Sequence, residues 1–385
     1  MLDLSASIVH GDGNSAIGKK SDGTAANDHD VAFVNAPLYS IFQDILVYFN
    51  DKRVCGGDQL YGYKSMLSLL MSYSDTVLKQ QMITSWFSKD TAGELDTKYT
   101  ATDNKNEGHA NRAKWNGGKL FIRKLLVDIF QQSKYLHNGV NIKIKLQRAP
   151  HEFALMCHTT SIKPRVLIHS ASLSVRKVRL SEATLYQHFH YLETWNRRAI
   201  YTYDQKVVNL TNLEKGLQKF TEENLFRGHI PKMIVLTMVP TDAYVGSYTR
   251  NPYNFQHYKV SSIGLKQNGE NTPIQRLEPD FTNGNYQREY LNILSSCSLL
   301  GQRSDTLCFD MSEYAKGGYS IFVFNLTPDN SMTSSTSVQH ADASNLRLDT
   351  KFSSALTENV TLMIMGIFDG VLQIDAERNI YTTGI

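Results

Sequence analysis

The chain repeats itself. Ile45-Leu46-Val47-Tyr48-Phe49 is an apolar run that ends in Asn50-Asp51, and Ile263-Gly264-Leu265-Lys266-Gln267 ends in Asn268-Gly269. Both read as a strand entering a tight turn, because Asn, Asp and Gly accept the left-handed backbone that such turns need. A short helical segment follows in each copy, at 64–70 and at 288–294. Next, Gly117-Gly118 precedes Leu120-Phe121-Ile122, as Gly317-Gly318 precedes Ile321-Phe322-Val323. Finally, Asn141-Ile142-Lys143-Ile144 is matched by Asn345-Leu346-Arg347-Leu348. These matches keep one order in both halves, which predicts two copies of one β domain.

With 385 residues the chain can hold two ordinary domains, each with its own core. Its 20 Tyr and 17 Phe lean towards strands. A net charge of +3 gives no electrostatic case for a dedicated nucleic-acid binder. The longest basic cluster, Arg176-Lys177-Val178-Arg179, alternates with an apolar residue and reads as a strand with one wet face. Cys55, Cys157, Cys297 and Cys308 have no CxxC spacing. Cys297 and Cys308 could approach each other, but the set reads as reduced, partly buried thiols. Met1-Leu2-Asp3-Leu4 carries neither a basic n-region nor a long apolar run, so no signal peptide is read. No apolar stretch has the length of a transmembrane helix. The expectation is a chain made and assembled inside a cell, without membrane insertion.

Leu2, Leu4, Ala6 and Ile8 alternate with polar residues, as in a half-buried strand, and Gly11-Asp12-Gly13 closes it. After the Ile45 strand two helices are predicted. One spans 61–73, and one is capped by Ser74 or Asp75 with Leu78, Met82 and Trp86 at i+4 spacing. The polar segments 88–118 and 327–344 read as exposed loops, with Trp115 the expected anchor of the first. Strands are expected near 119–130, 139–147, 151–157 and 165–180. Ser181 then caps a helix bearing Leu185, Phe189 and Leu192 on one face. Further strands follow near 199–211, 216–220, 231–239, 319–326, 345–352 and 359–368. The fold class is all-β: a double jelly roll, two eight-stranded sandwiches with short inserted helices and long polar loops. The domains are 1–178, a linker helix at 179–197, and 198–385.

No catalytic, cofactor-binding or metal-binding residue is assigned. There is no G-x-S-x-G elbow, P-loop or G-x-G-x-x-G after a strand. His188 and His190, at i and i+2 on a helix, point to different faces and read as surface histidines. Asp369 and Asp375 flank the last strand and Glu222-Glu223 sits in a turn. Paired carboxylates serve glycosidases, but these read as solvated charges. Asp242, Asp280, Asp310 and Asp329 read as turn formers. A rival class remains, a carbohydrate-binding or carbohydrate-processing jelly roll, which would need convergent carboxylates and an aromatic groove.

The second half carries Asn251-Pro252-Tyr253-Asn254-Phe255-Gln256-His257-Tyr258, Leu277-Glu278-Pro279-Asp280-Phe281 and Gly284-Asn285-Tyr286-Gln287-Arg288-Glu289-Tyr290. It also carries a run from Gly318 to Asp329, and Phe368-Asp369 with Ile374-Asp375. In the first half, Leu2-Asp3-Leu4, Tyr48-Phe49-Asn50 and Asp128-Ile129-Phe130 agree. These segments resemble the major capsid protein family of polintons (Mavericks) and adintoviruses. The resemblance implies a homotrimer forming pseudo-hexameric capsomers of an icosahedral shell. It also implies a penton or minor capsid partner, a place in the virion, no enzymatic activity and no sequence-specific nucleic acid. Family members carry an N-terminal arm and a first strand ahead of the Leu2–Leu4 segment, so the expectation is that the first barrel here lacks them.

Overall fold

Asn50 (φ 46°) and Asp51 (φ 64°) both adopt positive φ, and so do Asn268 (φ 51°) and Gly269 (φ 93°). Such tight turns match the right-handed twist of the strands they join. Around them, a computed structural model describes residues 1–13, 17, 31–97, 105–114, 119–159, 161–227, 229–300, 307–327 and 345–383.

The first half contains β1 (Leu2–Val9), β2 (Val31–Phe33), β3 (Phe42–Phe49), β4 (Lys52–Cys55), β5 (Lys119–Arg123), β6 (Ile142–Arg148), β7 (Leu155–Cys157) and β8 (Arg165–Leu173). The second contains β9 (Ala199–Leu213), β10 (Lys219–Glu222), β11 (Met233–Pro240), β12 (Val260–Gln267), β13 (Glu270–Leu277), β14 (Ile321–Asn325), β15 (Leu346–Phe352), β16 (Val360–Ile374) and β17 (Ile380–Thr383).

The sheets repeat the same wiring. In the first half the orders are β5-β1-β8 and β4-β3-β6; in the second β14-β11-β16 and β13-β12-β15. All these pairings are antiparallel. The second half then adds three strands, of which β17 pairs with the end of β16. β9 pairs with β16 along its whole length, and β10 pairs with β15. No strand among the described residues holds either place in the first half, where β8 and β6 end their sheets. The architecture is a double jelly roll, in which the described residues place a strand beside β16 and β15 of the second barrel and none beside β8 and β6 of the first.

The core explains the apolar runs. Every residue of β11 is buried. Ile234, Leu236 and Met238 face the interior of the second barrel with Phe322, Phe324, Leu362 and Ile364. Met233 and Val235 face the other way, joining Met363, Met365 and Ile367 in the core that runs through the first barrel. A strand covered on both faces loses the polar alternation. The chain thus has two cores, one inside the second barrel and one that runs through the first barrel and the junction between barrels.

The helix Tyr61–Ser72 is buried almost all round because it lies in that junction. Its Tyr63 meets Tyr253 edge-on at 5.8 Å and Phe153 at 5.4 Å.

The segment 88–118, expected to be an exposed loop, does not crown the molecule where it is described. Its helix Glu107–Ala113 buries Gly108, His109, Ala110, Arg112 and Ala113. Arg112 donates to Phe33 O (2.8 Å), Ser88 O (2.5 Å) and the Asp90 carboxylate (2.6 Å), and both charged side chains are 2% exposed. Tyr319 Oη of the second half donates to Asp90 O at 2.6 Å. Asp96 accepts from Asn251 N (2.6 Å) and Asn254 Nδ2 (2.7 Å), and Lys89 pairs with Glu313 at 2.6 Å. The segment is a polar lock between the halves, and its two buried charges, Asp90 and Arg112, pair with each other. Trp115 and the loop body at 328–344 lie outside the described residues.

Candidate assembly surface

Leu173 ends β8, and from there the chain runs almost wholly exposed to Ile200. Residues 174–180 form no strand, so the basic run Arg176-Lys177-Val178-Arg179 is not the half-wet strand that alternation suggested. Without a neighbouring strand its backbone has nothing to pair with. Ser181 does cap the helix Glu182–Glu193, accepting from Thr184 N. Of its apolar stripe only Leu192 is buried; Leu185 is 42% and Phe189 55% exposed. Tyr186, Tyr191 and Trp195 are exposed as well, the last two edge-on at 5.9 Å. An apolar face of this kind left uncovered on one chain marks an interaction surface.

The open side of the first barrel adjoins this connector. Ile142 of β6 (44%), Leu167 (42%) and Leu173 (44%) of β8 are exposed. Their counterparts in the second barrel are mostly buried: β15 and β16 are covered by β10 and β9 along the shared ladders. At one end the free edge of β8 is capped. Val166 N donates to His151 Nδ1 (3.2 Å), and Arg148 donates to Val166 O (2.6 Å). On its paired edge the ladder with β1 runs one residue further, Met1 N donating to Ser174 O at 2.7 Å and Ser174 N to Met1 O at 2.8 Å.

The histidines and carboxylates singled out in the sequence are dispersed. His188 lies 5.9 Å from the His137 ring, while His190 Nδ1 is hydrogen-bonded to Thr194 Oγ1 at 2.5 Å. Among the described residues no group of three or more His, Cys, Asp and Glu is placed to share a metal ion. Asp369 lies within β16, opposite Asp204 of β9, and Lys232 bridges the two at 2.5 and 3.0 Å. Burial opposes the charge on Lys232, but the two carboxylates outweigh it and raise its pKa.

Asp375 is spaced from Asp369 by the end of the strand. Burial would raise its pKa, yet bonds from Asn379 and Tyr381 hold it below the usual range. Glu223 pairs with Arg347 at 3.0 Å, and Glu222 accepts from Thr211 at 3.5 Å. Asp280 closes a turn by accepting from Thr282 N and Asn283 N. Asp310 caps the helix Met311–Lys316 in a capping box with Glu313, and Asp242 sits in the first turn of Thr241–Val245. Asp329 lies outside the described residues. Each described carboxylate thus has a local structural task.

None of the four cysteines forms a disulfide. Burial pushes the thiols of Cys55, Cys297 and Cys308 up to about 12, which leaves them protonated and poor nucleophiles. Among the described residues no helix is long and apolar enough to cross a membrane.

The surface that stands out is the connector with the open barrel side. Sequence reasoning found the helix but not its exposure.

No family model matches the chain. It is 20% identical over 304 residues to the uncharacterized protein F54H12.2 of Caenorhabditis elegans, across 77% of this chain and 68% of that one. The fold is similar to the mavirus major capsid protein, with a TM-score of 0.51 at 9% identity, over 99% of this chain and 82% of that one. It is similar to a chain of the Sputnik virophage structure, with a TM-score of 0.55 at 12% identity, over 99% and 81%. PBCV-1 VP54, as fitted into a Sputnik reconstruction, gives 0.52 at 9% identity, over 100% and 89%. Over nearly its whole length this chain therefore resembles double jelly-roll major capsid proteins, and their fold is the one it has.

Proposed function

We propose that the chain is a structural major capsid protein, a homotrimer that forms pseudo-hexameric capsomers of an icosahedral shell. One observation carries the reading: a single chain holds the same barrel wiring twice, in a fold it shares with major capsid proteins. Three such chains place six similar barrels around one axis, and a three-fold object with a near six-fold outline tiles a hexagonal lattice. The exposed apolar connector supports self-association, because obligate assemblies bury such surfaces. The division at 1–178, 179–197 and 198–385 makes the connector helix the hinge piece between barrels.

In this reading the chain is not an enzyme. Its partners are further copies and a penton or minor capsid protein, and its place is the virion, assembled inside a host cell. Sedimentation velocity at micromolar concentration tests it. The expected species has about three times the 43.6 kDa chain mass, with six-lobed particles in negative stain. A stable monomer would overturn the reading.

A further inference from the structure

Tyr258 (φ 42°) and Lys259 (φ 51°) are consecutive residues in the left-handed region, which bulky side chains seldom adopt. Val260 N closes the turn by donating to His257 O at 2.9 Å. Three further bonds hold it. Tyr258 Oη donates to Glu358 at 3.1 Å, Ser353 N to Lys259 O at 2.9 Å, and Lys259 N to His257 Nδ1 at 3.0 Å. A strained turn of this kind persists only while its surroundings over-determine it.

His257 also ties this turn to the helix Met311–Lys316. Its ring lies flat on Phe281 at 3.9 Å and is bonded to the Ala315 backbone. That bond favours the charged ring, so the ring donates it; with Nδ1 accepting from Lys259 N, the proton sits on Nε2. Phe281 in turn stacks on Tyr286 at 5.5 Å and meets Tyr314 of the same helix at 6.0 Å. The helix is where the second half meets the first. Glu313 pairs with Lys89 at 2.6 Å, and just beyond it Gly317 O accepts from Gly93 N at 3.0 Å.

The charged groups around the ring come from four places. Lys259 is on its own turn, Glu278 and Asp280 on the Phe281 segment, Asp310, Glu313 and Lys316 on the helix, and Glu358 beside Tyr258. Most of these carboxylates are engaged elsewhere: Asp280 with Asn283, Asp310 in its capping box, Glu313 with Lys89, and Glu358 with Arg250. The charge that acts on the ring is that of Lys259. Burial first, and Lys259 second, lower the ring's pKa to about 4. A proton on Nδ1 would turn an acceptor into a donor aimed at the Lys259 N–H.

We propose that His257 is an acid-sensitive latch on the junction between the halves. When Nδ1 takes up a proton from solvent, the ring leaves the Lys259 amide and Phe281, the turn at Tyr258–Lys259 relaxes, and the helix Met311–Lys316 loosens from Lys89 and Gly93. Neutral solution keeps the latch shut, because the unprotonated ring satisfies both the turn and the helix. The latch is independent of the capsid reading, since it rests only on the strained turn, the stacked ring and the helix they hold.

The test is amide hydrogen exchange of the purified full chain at pH 7 and pH 5, corrected for the intrinsic rate. The open population of the helix 311–316 should rise about twentyfold at pH 5, the ratio expected when a ring of ordinary pKa in the open state is held near 4 in the closed one. The helix should stay less protected than β11 at both pH values, as a local opening requires. In His257→Asn the rise should shrink to about twofold or less. In Glu313→Gln it should persist, because the proton is taken up by the histidine and not by that carboxylate. An unchanged helix at pH 5 would overturn the proposal, as would an equal rise in His257→Asn or its loss in Glu313→Gln. Helix protection equal to that of β11 would also overturn it, since the opening would then be global. NMR titration of the His257 ring in the unaltered chain needs no substitution. A midpoint near 4 supports the latch, and one at the ordinary histidine value would overturn it.

Discussion

Ile144 and Leu348 hold the same place in the two barrels. Each sits in the strand paired to the one that ends in an Asn turn, opposite Val47 in the first case and Leu265 in the second. Leu348 is fully buried and Ile144 only partly. The residues are alike in size and polarity, so the difference lies in what covers them. β10 closes the edge beside Leu348, and no described strand closes the edge beside Ile144. A core position is thus made by its neighbours as much as by its own side chain.

The strongest blow to the junction common to both barrels should come from Arg112→Ala. It strands Asp90 and removes the donor from the buried Phe33 carbonyl and the partly buried Ser88 carbonyl. Removing one partner of a buried pair costs about 3–5 kcal/mol. Denaturant unfolding should show that loss, and a change under about 1 kcal/mol would mean the lock is wetter than its burial says.

Next comes the comparison itself. Leu348→Ala should cost about 2–5 kcal/mol, as deletions in closed cores do, and Ile144→Ala about 1 kcal/mol. Equal losses would show that the first barrel is closed as well.

A third test separates the junction from the open side by pH. His257 stacks on Phe281 at 3.9 Å and accepts from Lys259 N at 3.0 Å. Burial, helped by the charge of Lys259, lowers its pKa to about 4 against the weaker opposing effect of the ring's bond to the Ala315 backbone. The folded state therefore holds the ring neutral, and the unfolded state takes up the proton first. Stability is complete above the ordinary histidine pKa and falls as pH drops from there towards 4, by about 2 kcal/mol at pH 5. The His257→Asn variant should flatten this slope, and an unchanged slope would assign it to other groups.

The smallest effect is expected on the connector. Phe189→Ser with Trp195→Ser should move monomer stability by no more than about 0.5 kcal/mol, since both side chains are exposed. The same pair should abolish self-association in sedimentation. The double change His188→Ala, His190→Ala should be as mild for stability.

Much of this was legible in the chain. Asn50-Asp51 and Asn268-Gly269 marked their turns because few other residues take that backbone. The helix Tyr61–Ser72 was visible in its apolar spacing. Its burial on all sides, and the lock formed by Asp90, Asp96 and Arg112, were not. A polar residue reads as solvated until its distant partner is known, and Asp96 finds its own at Asn251 and Asn254. The connector shows the same limit in reverse. The spacing of Leu185, Phe189 and Leu192 located a helix and its apolar face, but spacing alone does not say what covers that face. The basic run after Leu173 mimicked a strand because alternation is local, whereas pairing needs a neighbour.

Hydrogen exchange across the two barrels tests their inequality most directly. In the chain alone, the amides of β15 and β16 should exchange only through global unfolding, being paired on both sides. Those of β6 and β8 that face the free edges should exchange faster, through local opening or without any. Equal protection of β8 and β16 in a monomeric sample would contradict the inequality of the two barrels.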